Sequence, residues 1–181
     1  MRIALTILAL WLAGLGSAAQ FGKLSFAFDL MAARYPEQGA AGIGLIVSIV
    51  GIVGLIFGTT AGLLVARVGP RRAIVAALAL GAAVSALQSL PLPYPALILT
   101  RVLEGVSHLA IVVVGPTMIA GIAPVRHQGL AMTLWSSFFG VTYALLALIA
   151  PPLLAGGSVA ALFLAHAVWM AALAAILARL L

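Results

Sequence analysis

The sequence lacks cysteine and has very few charged side chains. Without a thiol, disulfide bonds, thiolate metal sites and cysteine nucleophiles are excluded. Charged residues make up 7% of the 181 residues. A soluble domain carries about 25%, because its surface must face water. Hydrophobic residues make up 65%, and the mean hydropathy is +1.31. This composition is that of an integral membrane protein whose surface contacts the lipid bilayer.

Acidic side chains are especially scarce, with three Asp and Glu against nine Lys and Arg and a net charge of +6. A nucleic-acid partner is not expected, because the basic residues do not form a patch interleaved with aromatic residues. They lie mostly in short breaks between apolar runs, where membrane topology needs them. The excess of basic residues therefore indicates orientation in a membrane.

The apolar runs predict an all-α membrane protein, a bundle of six transmembrane helices in a single domain over residues 1–181. A span needs about 20 apolar residues, so a chain of this length accommodates about six crossings with short loops. Turn-forming and charged segments separate the runs. The predicted helices occupy residues 3–31, 41–66, 73–90, 96–122, 129–154 and 159–180.

The N-terminus has two interpretations. Arg2 and the apolar run to Leu15, followed by the small residues 16–20, resemble a secretory signal with its cleavage site. The alternative is a first transmembrane helix that the mature protein retains. Retention is favoured, because the apolar character continues beyond residue 20 to Met31.

The distribution of arginine predicts the orientation of the helices. Basic residues are enriched in cytoplasmic loops. With the N-terminus inside, only Arg34 falls in an outer loop. Both termini are therefore expected in the cytoplasm, and the inner membrane of a bacterium is the expected location. The arginines placed on the cytoplasmic side are Arg2, Arg67, Arg71, Arg72, Arg126 and Arg179.

The segment Gly62–Arg72 resembles the loop between the second and third helices of major facilitator superfamily transporters. In that family a small residue is followed by an acidic residue, Arg-x-Gly-Arg and another basic residue. This sequence departs from the pattern at Ala66, where Asp is usual, and at Pro70, where Arg is common. The simpler interpretation is a basic cytoplasmic turn. The residues that match the motif are Gly62, Arg67, Gly69, Arg71 and Arg72.

A second segment, Arg101–Gly105, resembles the fourth-helix motif of the same family, in which an intramembrane Arg precedes a polar residue and Gly. The two resemblances imply that the chain corresponds to the N-terminal half of a family member, which has about twelve helices in two six-helix halves. They also imply a secondary transporter that binds a small solute between the halves.

The fourth predicted helix carries an ionisable stripe whatever the family. Arg101, Glu104 and His108 are spaced i, i+3 and i+7, which places them on one helical face. An ionisable group that faces lipid costs at least about 2.5 kcal/mol, so the stripe should face a cavity or a partner. Two interpretations remain, a substrate or proton pathway and an internal structural ion pair.

The first predicted helix carries a second polar stripe, with Gln20 and Lys23 as i, i+3 neighbours. Lys23 either extends to the outer interface or faces the bundle with Arg101. In the second arrangement two cations would oppose one anion, which favours an anionic substrate. His166 is interpreted as a residue that hydrogen-bonds between helices. No metal-ligand or catalytic spacing is present, so neither an enzyme nor a cofactor is expected.

The sequence therefore predicts a half-size transporter of major facilitator type for a small solute, which would be an anion if Lys23 faces the bundle with Arg101. A single half offers one wall of a substrate cavity, so it should act as a dimer or with a second six-helix half. The alternative is a non-transporting scaffold or accessory subunit of a larger membrane complex. A piece of a full-length carrier is a third reading.

Overall fold

The computed structural model describes residues 2–181, and every regular element within them is a helix. Five helices are long and apolar enough to cross a membrane, and the bent pair Val125–Ser136 and Phe138–Leu154 makes up to six spans. The predicted all-α membrane fold is thus confirmed. The helices are α1 (Arg2–Phe26), α2 (Phe28–Arg34), α3 (Gly39–Val68), α4 (Pro70–Gln88), α5 (Tyr94–Ile122), α6 (Gln128–Ser136), α7 (Phe138–Leu154) and α8 (Ala160–Leu180), with 3₁₀ turns at Pro36–Gln38 and Val125–His127.

Two helices that the sequence predicts as continuous are interrupted. The first breaks at Ala27 and then continues as α2 to Arg34, beyond the predicted end at residue 31. The fifth bends by 41° at Ser137. The Ser137 hydroxyl donates to the carbonyl of Leu134 at 2.7 Å and accepts from Trp11 Nε1 at 3.2 Å. A serine that bonds its own helix backbone competes with the helical ladder, which explains the bend.

The junction between α3 and α4 depends on Gly69. Its φ of 89° lies in the left-handed region, which residues with a Cβ rarely adopt. Pro70 then occupies the first turn of α4, where its missing N–H leaves no helical bond unmade. The sequence Gly-Pro therefore ends one helix and starts the next within two residues.

The helices differ widely in how much surface they bury. In α3 only Ile43, Ile46, Val50 and Val53 are buried, all in its first half. Its second half is exposed, with Leu55 at 84% and other large side chains above half. A gap of about 200 Å³ separates the end of α3 from α4 and α5. The second half of α3 is therefore packed much less closely than the first, with Val65 as its partly buried contact with the core.

Arg2 and the end of α8 lie at the same face of the bundle. Arg2 Nη2 donates to the carbonyl of Leu180 at 3.5 Å, and Arg71 Nη2 donates to Ala178 at 2.7 Å. At the opposite face Tyr35 Oη donates to the carbonyl of Leu92 at 2.7 Å. Arg2 and Arg71, two of the arginines assigned to one side of the membrane, thus share a face of the bundle with the end of α8.

Cysteine labelling tests which face is cytoplasmic. Glu37 and Arg126 are both exposed and lie in turns at opposite ends of the bundle. In intact cells a membrane-impermeant maleimide should label Glu37→Cys, while Arg126→Cys should react only after lysis. The cysteine-free protein gives the background. Labelling of both positions from one side would contradict the topology, and labelling of Arg126→Cys alone would invert it.

Candidate functional site

Four helices bring polar side chains together inside the bundle. The contributing helices are α1, α4, α5 and α8, and each side chain is at most 7% exposed. These residues form what we term the buried ion cluster. Because the surroundings are apolar, every polar atom in it needs a partner within the protein. The members are Lys23, Ser85, Gln88, Arg101, Glu104 and His166.

Glu104 is the centre of the cluster. Its Oε1 accepts from Lys23 Nζ at 2.5 Å. Its Oε2 accepts from Arg101 Nη1 and, at 2.9 Å, from Gln88 Nε2. The expected Arg101–Glu104 pair is therefore part of a triad with two cations and one anion. The triad carries one excess positive charge in a region without water contact.

Lys23 points into the bundle and does not extend to the outer interface, because its side chain is 0% exposed. Its three ammonium hydrogens have three acceptors within reach. These are Glu104 Oε1, Ser85 Oγ at 2.9 Å and His166 Nδ1 at 3.4 Å. The Phe163 ring, 4.5 Å from Nζ, adds a cation–π contact. These contacts compensate part of the cost of burying the charge.

His166 joins the cluster through a fixed tautomer. Its Nε2 lies 2.9 Å from the carbonyl oxygen of Gly16, and a carbonyl oxygen can only accept a hydrogen bond. Nε2 therefore carries the proton, and in the neutral ring Nδ1 is an acceptor that faces Lys23 Nζ at 3.4 Å, since the Ser85 hydroxyl donates to the carbonyl of Phe163. His166 thus links helices, as the sequence indicates, and also contacts Lys23.

Arg101 is only partly satisfied. Its Nε donates to the carbonyl of Ile46 on α3 at 2.7 Å, and Nη1 binds Glu104. Its Nη2 is buried and has no hydrogen-bond partner among residues 2–181. An unpartnered guanidinium nitrogen at such a place is costly, and it is an available donor for an anion.

Two of the expected site residues lie apart from the cluster. Gln20 Nε2 donates to Ser107 Oγ at 2.9 Å, and Ser107 donates in turn to the carbonyl of Ala77. His108 is half-buried and lies 2.8 Å from Ser17 Oγ through Nδ1. The stripe on α5 therefore separates into two charged residues in the core and a histidine in a different environment.

Only some residues of the loop motif make a turn or a contact within this chain. Gly69 makes the turn, and Arg71 binds the end of α8. Gly62 makes no close helix contact, because no neighbouring atom of residues 2–181 lies within 4 Å of the position a Cβ would take. The two remaining motif residues are exposed, Arg67 and Arg72.

A cleft of about 140 Å³ lies between α1, α7 and α8. Apolar side chains such as Leu146 and Trp169 form most of its wall. Lys23 and His166 also border it. Their polar atoms face inward to the hydrogen bonds described above.

Comparison with protein families gives a match over nearly the whole chain. The family described as Major Facilitator Superfamily matches residues 6–181. The chain belongs to the Major Facilitator Superfamily. Members of this superfamily are transporters rather than enzymes. The resemblance indicated by the two sequence motifs is confirmed. No match is found among curated proteins.

Three members of the cluster in this major facilitator chain are absent from the sequence-based site. Ser85 and Gln88 are i, i+3 neighbours on α4, and that spacing was the available signal. The isolated His166 gave no such signal in the sequence, since its partners are 81 and 150 residues away along the chain. Tertiary packing alone brings these three side chains to Lys23 and Glu104.

Proposed function

We propose that this major facilitator chain is a half-size secondary transporter of a small anionic solute. The observation that supports this is the excess positive charge of the buried ion cluster together with the unpartnered nitrogen of Arg101. An anion that binds there would neutralise the charge and accept a hydrogen bond. It would therefore lower a cost that the empty cluster carries.

The solute would need a change of helix packing to reach the cluster. Lys23, Arg101 and Glu104 are 0% exposed, so the described conformation is closed around them. Rocking of one half against another is the usual source of alternating access in such folds. Several helices have exposed apolar faces that a second half could cover, among them α3 and α7. We therefore propose a dimer, or a pair with a separate six-helix chain.

A second candidate is a non-transporting accessory subunit of a larger membrane complex. The complete burial of the triad favours it, since a purely structural cluster needs no access. Ala66 favours it too, because the family usually has Asp at this point of the loop. The two candidates differ in whether a charge in the cluster is needed for solute movement, and that difference can be measured.

Reconstitution with the Lys23→Met variant provides the test. The protein, with any chain that copurifies in mild detergent, is placed in liposomes and offered lactate, glutamate, phosphate and neutral glucose. We expect saturable uptake of an anion and a reduction of about tenfold or more in Lys23→Met. The variant should remain folded, because it leaves a neutral Arg101–Glu104 pair. Arg126→Met, an exposed loop variant with the same change of charge, is the matched control.

The outcomes separate the two candidates. Uptake that is equal in Lys23→Met and Arg126→Met would remove the cluster from the transport pathway. Absence of saturable uptake, with and without the copurified chain, would favour the accessory subunit. Full activity in liposomes that hold at most one copy of the chain each would contradict the need for a second half.

A further inference from the structure

The buried ion cluster contains four ionisable groups whose charges do not balance. Lys23 and Arg101 oppose the single carboxylate of Glu104, and all three side chains are 0% exposed. His166 is the fourth group, and its Nδ1 lies 3.4 Å from Lys23 Nζ. With Lys23 as an ammonium ion, the cluster therefore holds one positive charge that no carboxylate in it neutralises.

No other ionisable side chain among residues 2–181 bonds to the cluster. On α5, His108 hydrogen-bonds to Ser17, away from the ions. On α7, the one titratable group is Tyr143, whose hydroxyl lies 3.5 Å from Ser25 Oγ. The other ionisable residues of the helices packed around α1 lie close to helix ends, and they are Arg2, Asp29, Arg34, Arg67, Arg71, Arg72 and Arg179. The charge balance therefore depends on the four groups of the cluster.

Only Lys23 can lower this excess charge by exchanging a proton. The guanidinium of Arg101 stays charged in proteins. Protonation of Glu104 would leave two buried cations without a counter-ion, and protonation of His166 would add a third cation. Release of a proton from Lys23 instead leaves a neutral amine beside the neutral Arg101–Glu104 pair. The N–H bond breaks, the electron pair stays on Nζ, and the proton goes to water.

The contacts of Lys23 suit a neutral amine as well as an ammonium ion. An amine keeps two hydrogens, and two acceptors lie close to Nζ, Glu104 Oε1 at 2.5 Å and Ser85 Oγ at 2.9 Å. The contact that would be given up is the longest of the three, at 3.4 Å to His166 Nδ1. Loss of the proton therefore leaves the two shorter hydrogen bonds of Lys23 in place.

We propose that Lys23 is the proton-binding residue that couples the transport of the anion to that of a proton. The empty cluster is neutral when Lys23 has released its proton, and the anion-bound cluster is neutral when Lys23 carries it. The other two combinations leave a net charge in an apolar interior, which is costly. One proton therefore moves with each singly charged anion. The inference rests on the proposed transport of an anion and specifies its coupling ion.

The protonation of Lys23 can be observed directly, because it is the one lysine among the 181 residues. Protein labelled with lysine that carries ¹³C at Cε gives a single lysine signal, whose chemical shift distinguishes ammonium from amine. In nanodiscs without solute, we expect the signal to move to the amine position between about pH 6 and about pH 9. Lactate, glutamate and phosphate are then added in turn, with neutral glucose as the control.

At the pH where the lysine is an amine, an anion that binds should return the signal to the ammonium position, and glucose should not. A lysine that stays an ammonium ion over the whole range without solute would overturn the inference. A signal that none of the three anions changes would also overturn it. The measurement uses the unaltered chain, so it does not depend on the folding of a variant.

Lys23→Arg is the matched variant, because it keeps a cation at this position that cannot release its proton. Binding of the same anion to the unaltered chain should weaken by up to about tenfold for each unit of pH above the point at which Lys23 becomes an amine. Binding to Lys23→Arg should not change with pH over this range. The same pH dependence in both proteins would overturn the assignment to Lys23.

Uptake into liposomes separates a failure of this inference from a failure of transport. Accumulation of the anion should rise by up to about tenfold per unit of an inward proton gradient, with protein-free liposomes as background. A membrane potential alone should change it little, because no net charge moves. Uptake driven by the potential and not by the proton gradient would refute proton coupling and leave transport standing. Absence of saturable uptake, in a protein whose lysine signal responds to an anion, would refute transport and leave a proton-linked anion site.

Discussion

Glu104→Gln is expected to lower the free energy of unfolding by about 3–5 kcal/mol, because it leaves two buried cations without a counter-ion. Its carboxylate is the shared acceptor of Lys23 and Arg101, and no other acidic side chain among residues 2–181 forms an ion pair. Unfolding of the purified protein in detergent, followed by circular dichroism against denaturant, measures the change.

The Lys23→Met variant provides the matched comparison. It removes one of the two cations and leaves Arg101 paired with Glu104, so its loss of stability should be clearly smaller than that of Glu104→Gln. Replacing Arg101 and Glu104 together would leave Lys23 unpaired. The full replacement is therefore the triple variant Lys23→Met, Arg101→Met and Glu104→Met. Apolar packing often replaces buried ions at little cost, so this variant should recover most of the stability.

Two results would contradict the argument for the triad. If Glu104→Gln is as stable as the unaltered protein, the charge of Glu104 does not hold the cluster together. If the triple variant is less stable than Glu104→Gln, the hydrogen bonds of the buried ions stabilise the protein by more than the desolvation of the ions costs. The triple variant also serves the functional question, since a stable protein without uptake supports a role in transport, whereas retained uptake indicates a structural one.

Gly115→Ala is expected to destabilise the protein by about 1–3 kcal/mol through overpacking. A Cβ at this position of α5 would lie 2.2 Å from the Trp135 ring. The indole cannot move away easily, because it is 6% exposed, packs on Phe138 at 4.9 Å, and lies 3.1 Å from the position that a Cβ on Gly14 of α1 would take. The same denaturant unfolding measures the loss.

Gly121→Ala is the matched control on the same helix. Nothing lies within 4 Å of the Cβ that it would add, and the residue is exposed. Alanine is favoured over glycine in a helix by about 0.8–1 kcal/mol, so this variant should be neutral or slightly more stable. Equal losses in Gly115→Ala and Gly121→Ala would show that the contact with Trp135 does not limit packing.

The helices could be predicted from the sequence because apolar runs and their breaks follow directly from the bilayer. The interruption at Ser137 could not, since serine is common in membrane helices and bends one only when its hydroxyl finds the backbone. The i, i+3 pair of Arg101 and Glu104 was also predictable, because both residues lie on the same turn of one helix.

The remainder of the cluster depended on packing between distant segments. The side chain of Lys23 is long enough to reach either the outer interface or the interior, so spacing alone left its direction open. Packing of α4 and α8 against α1 decides it, because Ser85 and His166 provide acceptors inside. The polar stripe of Gln20 and Lys23 therefore allowed two directions for the lysine side chain, and only the tertiary structure distinguishes them.

The uneven burial of α3 allows the helix to tilt about the end of its buried half. Its buried residues end at Val53, and from there to Val68 it extends about 20 Å at 1.5 Å per residue. A tilt of about 10° about Val53 would displace Val68 by roughly 3.5 Å over this length. The gap beside α4 and α5 leaves room for this displacement of the end of α3. Ile46, whose carbonyl accepts a hydrogen bond from Arg101, lies on the other side of Val53, so a tilt of the whole helix about Val53 would also displace this acceptor of the ion cluster.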